Sequence, residues 1–219
     1  MRGLSRSFSV ASLLLFAFVA IASADRIPHR RPPPANPVRQ DTTYHSVPDS
    51  KLEVRAVQYD GSTNGRLVVQ VKNTGKAAQK FSAKGLYFVP EGDPNSAPQR
   101  LGAVGPMQMI ADPQHKELSE LEVAPGATVE VALDVFCIDS HRGSPSPANR
   151  FNVGAKRLPR ELAQTIETRA NAAVDEEKAN GNTDARPAAK GKIQSEVWRS
   201  RDSKWIELDG EGKQEKSKH

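Results

Sequence analysis

Between residues 52 and 138, apolar and polar side chains alternate with the period of a β-strand. Leu52, Val54 and Ala56 make the first run, and Leu67, Val69 and Val71 the second, separated by the turn-forming stretch 61–65. The second run stops at Asn73-Thr74-Gly75, a strong turn signal. Phe81 and residues 86–89 predict two further short strands, closed by Pro90 and Gly92, and residues 100–104 predict another. Met107, Met109 and Ile110, between Pro106 and Pro113, read as an apolar loop. The clearest pair follows. Leu118, Leu121 and Val123 lead into Pro125-Gly126, after which Val129, Val131, Leu133 and Val135 alternate with Thr128, Glu130, Ala132 and Asp134. Such a strand sets one side on a core and the other in water.

The expected fold is therefore mainly β, an antiparallel sandwich over residues 51–139 in which about seven strands fit at regular spacing with turn chemistry between them. After Cys137 the period becomes helical. Leu158-Pro159 opens a segment with Leu162, Ile166, Ala170 and Val174 on one face, and proline suits the first turn of a helix. Residues 140–209 accordingly predict a helical appendage. Gly181, Asn182 and Pro187 mark a mobile loop near 175–190, Ile193, Val197 and Trp198 a short second helix, and Trp205, Ile206 and Leu208 a final short strand. The chain shows no internal repeat.

The flanks differ in kind. Residues 1–24 have the three parts of an export signal: Arg2 and Arg6, an apolar stretch, and the small-residue site Ala22-Ser23-Ala24. The apolar stretch falls short of the ~20 residues a spanning helix needs, so cleavage after Ala24 and a secreted, periplasmic or extracellular product are expected, with no integral membrane segment afterwards. Residues 25–50 interleave prolines with Arg26, Arg30, Arg31 and Arg39, which favours an extended polyproline spacer. Residues 210–219 are charged and predict a disordered tail. The formal net charge of +5 is mild and unstriped, without the interleaved aromatics that single-stranded nucleic acid requires, so nucleic-acid binding is not supported. Weak attraction to anionic cell-surface polymers is the expected consequence.

The strand that ends at Asn73-Thr74-Gly75, with the later pair joined through Pro125-Gly126, resembles bacterial extracellular immunoglobulin-like modules over residues 52–138. The resemblance implies a fold and says little about a ligand.

Candidate chemistry gathers around the single cysteine. Cys137 cannot form an internal disulfide, so the domain depends on apolar burial. Its neighbours Phe136 and Ile138 predict a buried, inert thiol. His141 lies four positions on, and a turn at Ser140 would be needed to make a Cys–His hydrolase pair. Asp139 and His141 are too few for a structural metal site, which normally takes four ligands. Cys137 together with the segment Gln194–Trp198 is similar to the thioester domains of bacterial surface adhesins, where a cysteine thiol bonds to a glutamine ahead of a tryptophan. That resemblance implies Cys137 as thiol, Gln194 as acyl donor and Trp198 packed beside them. Ile193 and Glu196 stand where that family has threonine and alanine. The alternative is that Gln194 is a surface residue of a helix docked by Ile193, Val197 and Trp198. The reading that follows is an exported, noncatalytic binding or structural module without cofactor or metal, whose partner is an extracellular or cell-surface protein or polymer. A covalent adhesin and a secreted Cys–His enzyme are the competing classes.

Overall fold

The computed structural model describes residues 39–40, 42–114, 116–203 and 206–213, with the side chains of 104 and 105 outside that description. The export signal, most of the arginine–proline spacer, Trp205 and the last six residues lie outside the described residues. Among those described, ten strands precede two helices. They are β1 (His45–Ser46), β2 (Leu52–Tyr59), β3 (Arg66–Asn73), β4 (Gln79–Phe81), β5 (Tyr87–Pro90), β6 (Leu101–Met109), β7 (Glu117–Leu118), β8 (Leu121–Val123), β9 (Thr128–Cys137), β10 (Phe151–Val153), α1 (Arg160–Ala179) and α2 (Ala185–Ser203).

All pairings are antiparallel, and the protein is mainly β with two C-terminal helices. Eight strands form one sheet in the order β1-β2-β3-β9-β6-β5-β10, with β7 on β6, while β4 and β8 pair separately. The main sheet curls until β10 comes back beside β2, so it is a nearly closed barrel. Side chains bridge the seam. Gln40 Nε2 donates to the carbonyls of Pro147 and Asn149, His45 Nε2 lies 2.9 Å from Asn152 Oδ1, and the Tyr59 and Phe151 rings meet edge to face at 5.4 Å.

Register explains the core. Val69 faces Ala56 on one side and Val131 on the other, so the alternating sets of β2, β3 and β9 turn the same way. Leu67, Val69, Val71, Val131, Leu133 and Val135 are buried in one barrel-interior cluster, with Val129 packed against it. A bulge between Ala56 and Gln58 inserts Val57 and restores the inward direction at Tyr59. A second cluster, with Phe136 and Ile138 on the outer face of β9, receives Leu162, Ile166 and Ala170 of α1 and Ala189, Ile193 and Val197 of α2. The small alanines let the helices lie close to each other and to the sheet.

Several expectations need correction. The spacer ends earlier than residue 50, because Gln40 donates its N–H to Val57 and β1 pairs with β2. The strands beyond the expected set are short ones: β1, β7 and β10 have two or three residues each. Met107 and Met109 belong to β6, and Met107 is buried. The loop near 175–190 shrinks to residues 180–184. Gly181, at φ +79°, closes α1 with paired bonds, its own N–H to Lys178 and that of Asn182 to Glu177, which is a Schellman cap. Pro187 then sits in the first turn of α2, where its missing N–H leaves no bond unmade. Residues 206–208 form no strand, and 210–213 pack on the domain with Glu211 buried.

Candidate functional site

Cys137 ends β9, the strand shared by β3 and β6. Its thiol joins the barrel-interior cluster, while Phe136 and Ile138 point to the helices. The β3–β9 pairing ends at Arg66 and Asp134, but residues 63–65 continue beside β9, and the Val135 N–H donates to the Gly65 carbonyl. The Cys137 N–H donates to the Thr63 carbonyl at 2.9 Å and to Gln194 Oε1 at 3.1 Å, and Gln194 Nε2 donates to the Cys137 carbonyl at 2.6 Å. Gln194, only 5 % exposed, thus gives the Cys137 N–H a second acceptor and supplies the donor to its carbonyl. The alternative that set it on the helix surface is corrected: its position follows Ile193 onto the inner side of α2, where the Cys137 carbonyl takes its donor from the carboxamide.

Cys137 and Gln194 are therefore brought together, but through the cysteine backbone. The thiol belongs to the barrel-interior cluster, while the carboxamide reaches the N–H and C=O of the same residue from α2, which packs on the outer cluster. Burial, reinforced by the Asp139 charge, pushes the thiol up to about 12. Trp198 lies one turn further along α2, half-buried against the barrel cluster, and its Nε1 donates to Gln99 Oε1 at 3.1 Å.

Asp139 is fully buried and committed to Arg100, itself fully buried. Its Oδ2 accepts from Arg100 Nε at 2.7 Å and from the Arg100 N–H at 3.0 Å, and its Oδ1 accepts from Nη2 at 2.6 Å. His141 is exposed on the following loop. Among the described residues, no group of three or more His, Cys, Asp or Glu side chains is placed to hold a metal ion.

What the sequence reading missed is the C-terminal segment 206–213 and the groups that seat it. Arg100 Nη1 donates to the carbonyls of Leu208 and Asp209, and Arg142 Nη2 to that of Gly210. The Asp209 carboxylate accepts from the Tyr87 hydroxyl at 2.8 Å and from the Ala155 N–H at 2.5 Å. Glu211 Oε1 accepts from the Leu208 N–H and lies 4.0 Å from Arg201 Nη2, both side chains being buried. Gly210 adopts φ +76° with the position of a Cβ 2.5 Å from Val89 Cγ1, so only glycine fits there. Beside this segment lies a cavity of about 640 Å³ lined by Tyr87, Lys156, Arg157 and Asp209. A smaller cleft of about 390 Å³ separates β9 from the start of α2, where Asp134 pairs with Arg186 and Lys190.

Among the described residues no helix is long and apolar enough to cross a membrane. In comparison with known proteins, no family model matches the chain, and neither a curated protein nor a solved structure does.

Proposed function

We propose that this chain is an exported, noncatalytic binding or structural module of the cell envelope or extracellular space. The observation that supports this reading is the employment of the candidate reactive groups. The Cys137 thiol is buried and held neutral, the Gln194 carboxamide is bonded at both ends to the Cys137 backbone, and Asp139 balances a buried arginine. Groups engaged in holding the fold are poorly placed to attack a substrate. The immunoglobulin-like relationship, carried by Asn73-Thr74-Gly75 and Pro125-Gly126, and export after Ala24 belong to the same reading. Its partner is an extracellular or cell-surface protein or polymer, with the mild positive charge favouring an anionic one.

Mass spectrometry of the intact secreted chain tests it. The expected product begins at Asp25, has the full mass of that sequence, and is unchanged by methylamine. A deficit of one ammonia, with methylamine then adding at Gln194 and neither effect surviving Cys137→Ala, would establish the covalent-adhesin alternative instead. Reactivity lost in His141→Ala would establish the Cys–His enzyme.

A further inference from the structure

We propose that the outer face of β3, with the cleft between β9 and the start of α2, docks a linear carboxylate-bearing polysaccharide, an assignment that rests on reading the chain as an exported binding module. The helices occupy the outer face around Phe136 and Ile138. The outward set of β3 is polar apart from Val68, namely Arg66, Gln70 and Lys72. At ~3.4 Å per residue, Lys72 and Arg66 stand about 20 Å apart on one strand. Lys72 Nζ lies 5.5 Å from the centre of the Tyr44 ring, and neither it nor the Arg66 guanidinium has an ion pair among the described residues. Glu53 stands in register with Lys72, and Arg55, two residues on, offsets its charge. Arg66 also lines the cleft of about 390 Å³, where Arg186 and Lys190 close on Asp134.

Charge decides the occupant. Glu117 lies 3.7 Å from Arg186 Nε, so three cations line the cleft against two carboxylates. Gln108, in register with Ala132, adds to the same cleft a carboxamide without a partner among the described residues. An oxyanion entering there meets the Arg66 fork and the Gln108 amide without breaking the pairs of Asp134, and a guanidinium suits a carboxylate in two parallel bonds. The surplus is a single positive charge. A densely sulfated chain would press several anions on Asp134 and Glu117, whereas a uronate chain presents one carboxylate at a time, with hydroxyls for Gln108. The separation of Lys72 from Arg66 exceeds one sugar and fits a short run of them, which makes the ligand a chain.

Fluorescence anisotropy of a labelled hyaluronate oligosaccharide, which carries a carboxylate on alternate sugars, tests the site on the secreted chain. Binding is expected at low salt and is lost in about 1 M sodium chloride, where charges are screened within ~3 Å. Arg66→Gln and Lys72→Gln, at side chains that hold no other part of the fold, are each expected to weaken it about threefold and together about tenfold. Lys80→Gln, on the separate β4–β8 pair, leaves it unchanged. No binding by the parent, equal affinity in the double variant, competition by neutral dextran, or tighter binding of dextran sulfate would each overturn the assignment. Those results leave the exported-module reading standing, since it falls only on the intact mass and the thiol chemistry.

Discussion

The Gln194 side chain faces the Cys137 backbone as a strand would, accepting from its N–H and donating to its C=O across 57 residues of sequence. The arrangement joins α2 to the end of β9. It also decides how the pair is read chemically, because both polar atoms of the carboxamide are engaged by the Cys137 backbone.

Replacing Gln194 therefore tests structure before chemistry. Gln194→Met keeps much of the volume but strips the Cys137 carbonyl of its donor, and is expected to cost about 1–3 kcal/mol in urea unfolding. Gln194→Glu keeps an acceptor, loses the donor and buries a charge, so it should be the more destabilising of the two. A Glu variant as stable as the parent would contradict the geometry.

Gly191 lies inside α2 with nothing within 4 Å of an added Cβ and no positive φ. A helix-interior glycine is less favourable than alanine by about 0.5–1 kcal/mol, so Gly191→Ala is expected to raise the unfolding free energy by that amount, read as a higher urea midpoint. Loss of stability there would mean that α2 is not helical at that position in solution.

The β half of this fold was legible because alternation in β2, β3 and β9 reports directly which side is buried. The curling of the main sheet was not, since closure depends on side-chain bridges such as His45 to Asn152 between segments 107 residues apart. The helix ends were misread for a local reason. Gly181 and Pro187 look like a broken stretch, yet one caps a helix and the other begins one. Arg201 carried a readable signal in its four-residue spacing from Val197, but a charge on an apolar stripe is understood only with its partner, and Glu211 sits in what reads as a polar tail. Cys137 and Gln194 were singled out together, although nothing in the sequence tells backbone contact from thiol contact.

Asp139→Asn isolates the buried ion pair. Asparagine retains shape and one acceptor but leaves Arg100 charged at a site with no exposure. Breaking a buried pair from one side typically costs about 3–5 kcal/mol, and a loss of that size in denaturant unfolding is expected. Because Arg100 also holds the carbonyls of 208 and 209, protease cleavage near residue 208 should accelerate in the same variant. A loss below about 1 kcal/mol would place the pair in contact with water, as surface pairs are.

Cys137 gives the domain an alkaline limit. The unfolded thiol titrates near 9.0, whereas burial first, and the Asp139 charge second, push the folded one up to about 12. Between those values the unfolded chain has lost a proton that the native state keeps, so unfolding is favoured as pH rises. The contribution is fully present below pH 9 and disappears progressively towards 12. Tyr87, raised by burial to about 12 from 10.0, steepens the decline above pH 10. Stability measured in urea from pH 8 to 10 is therefore expected to fall in the parent chain and to fall less in Cys137→Ala, whose overall stability drops for the lost volume. Thiol labelling at pH 8 should be slow in the native state and fast in denaturant, because only the thiolate reacts and the native site supplies almost none. Equal slopes in the parent and the alanine variant, or rapid native labelling, would show that the Cys137 thiol is in contact with solvent.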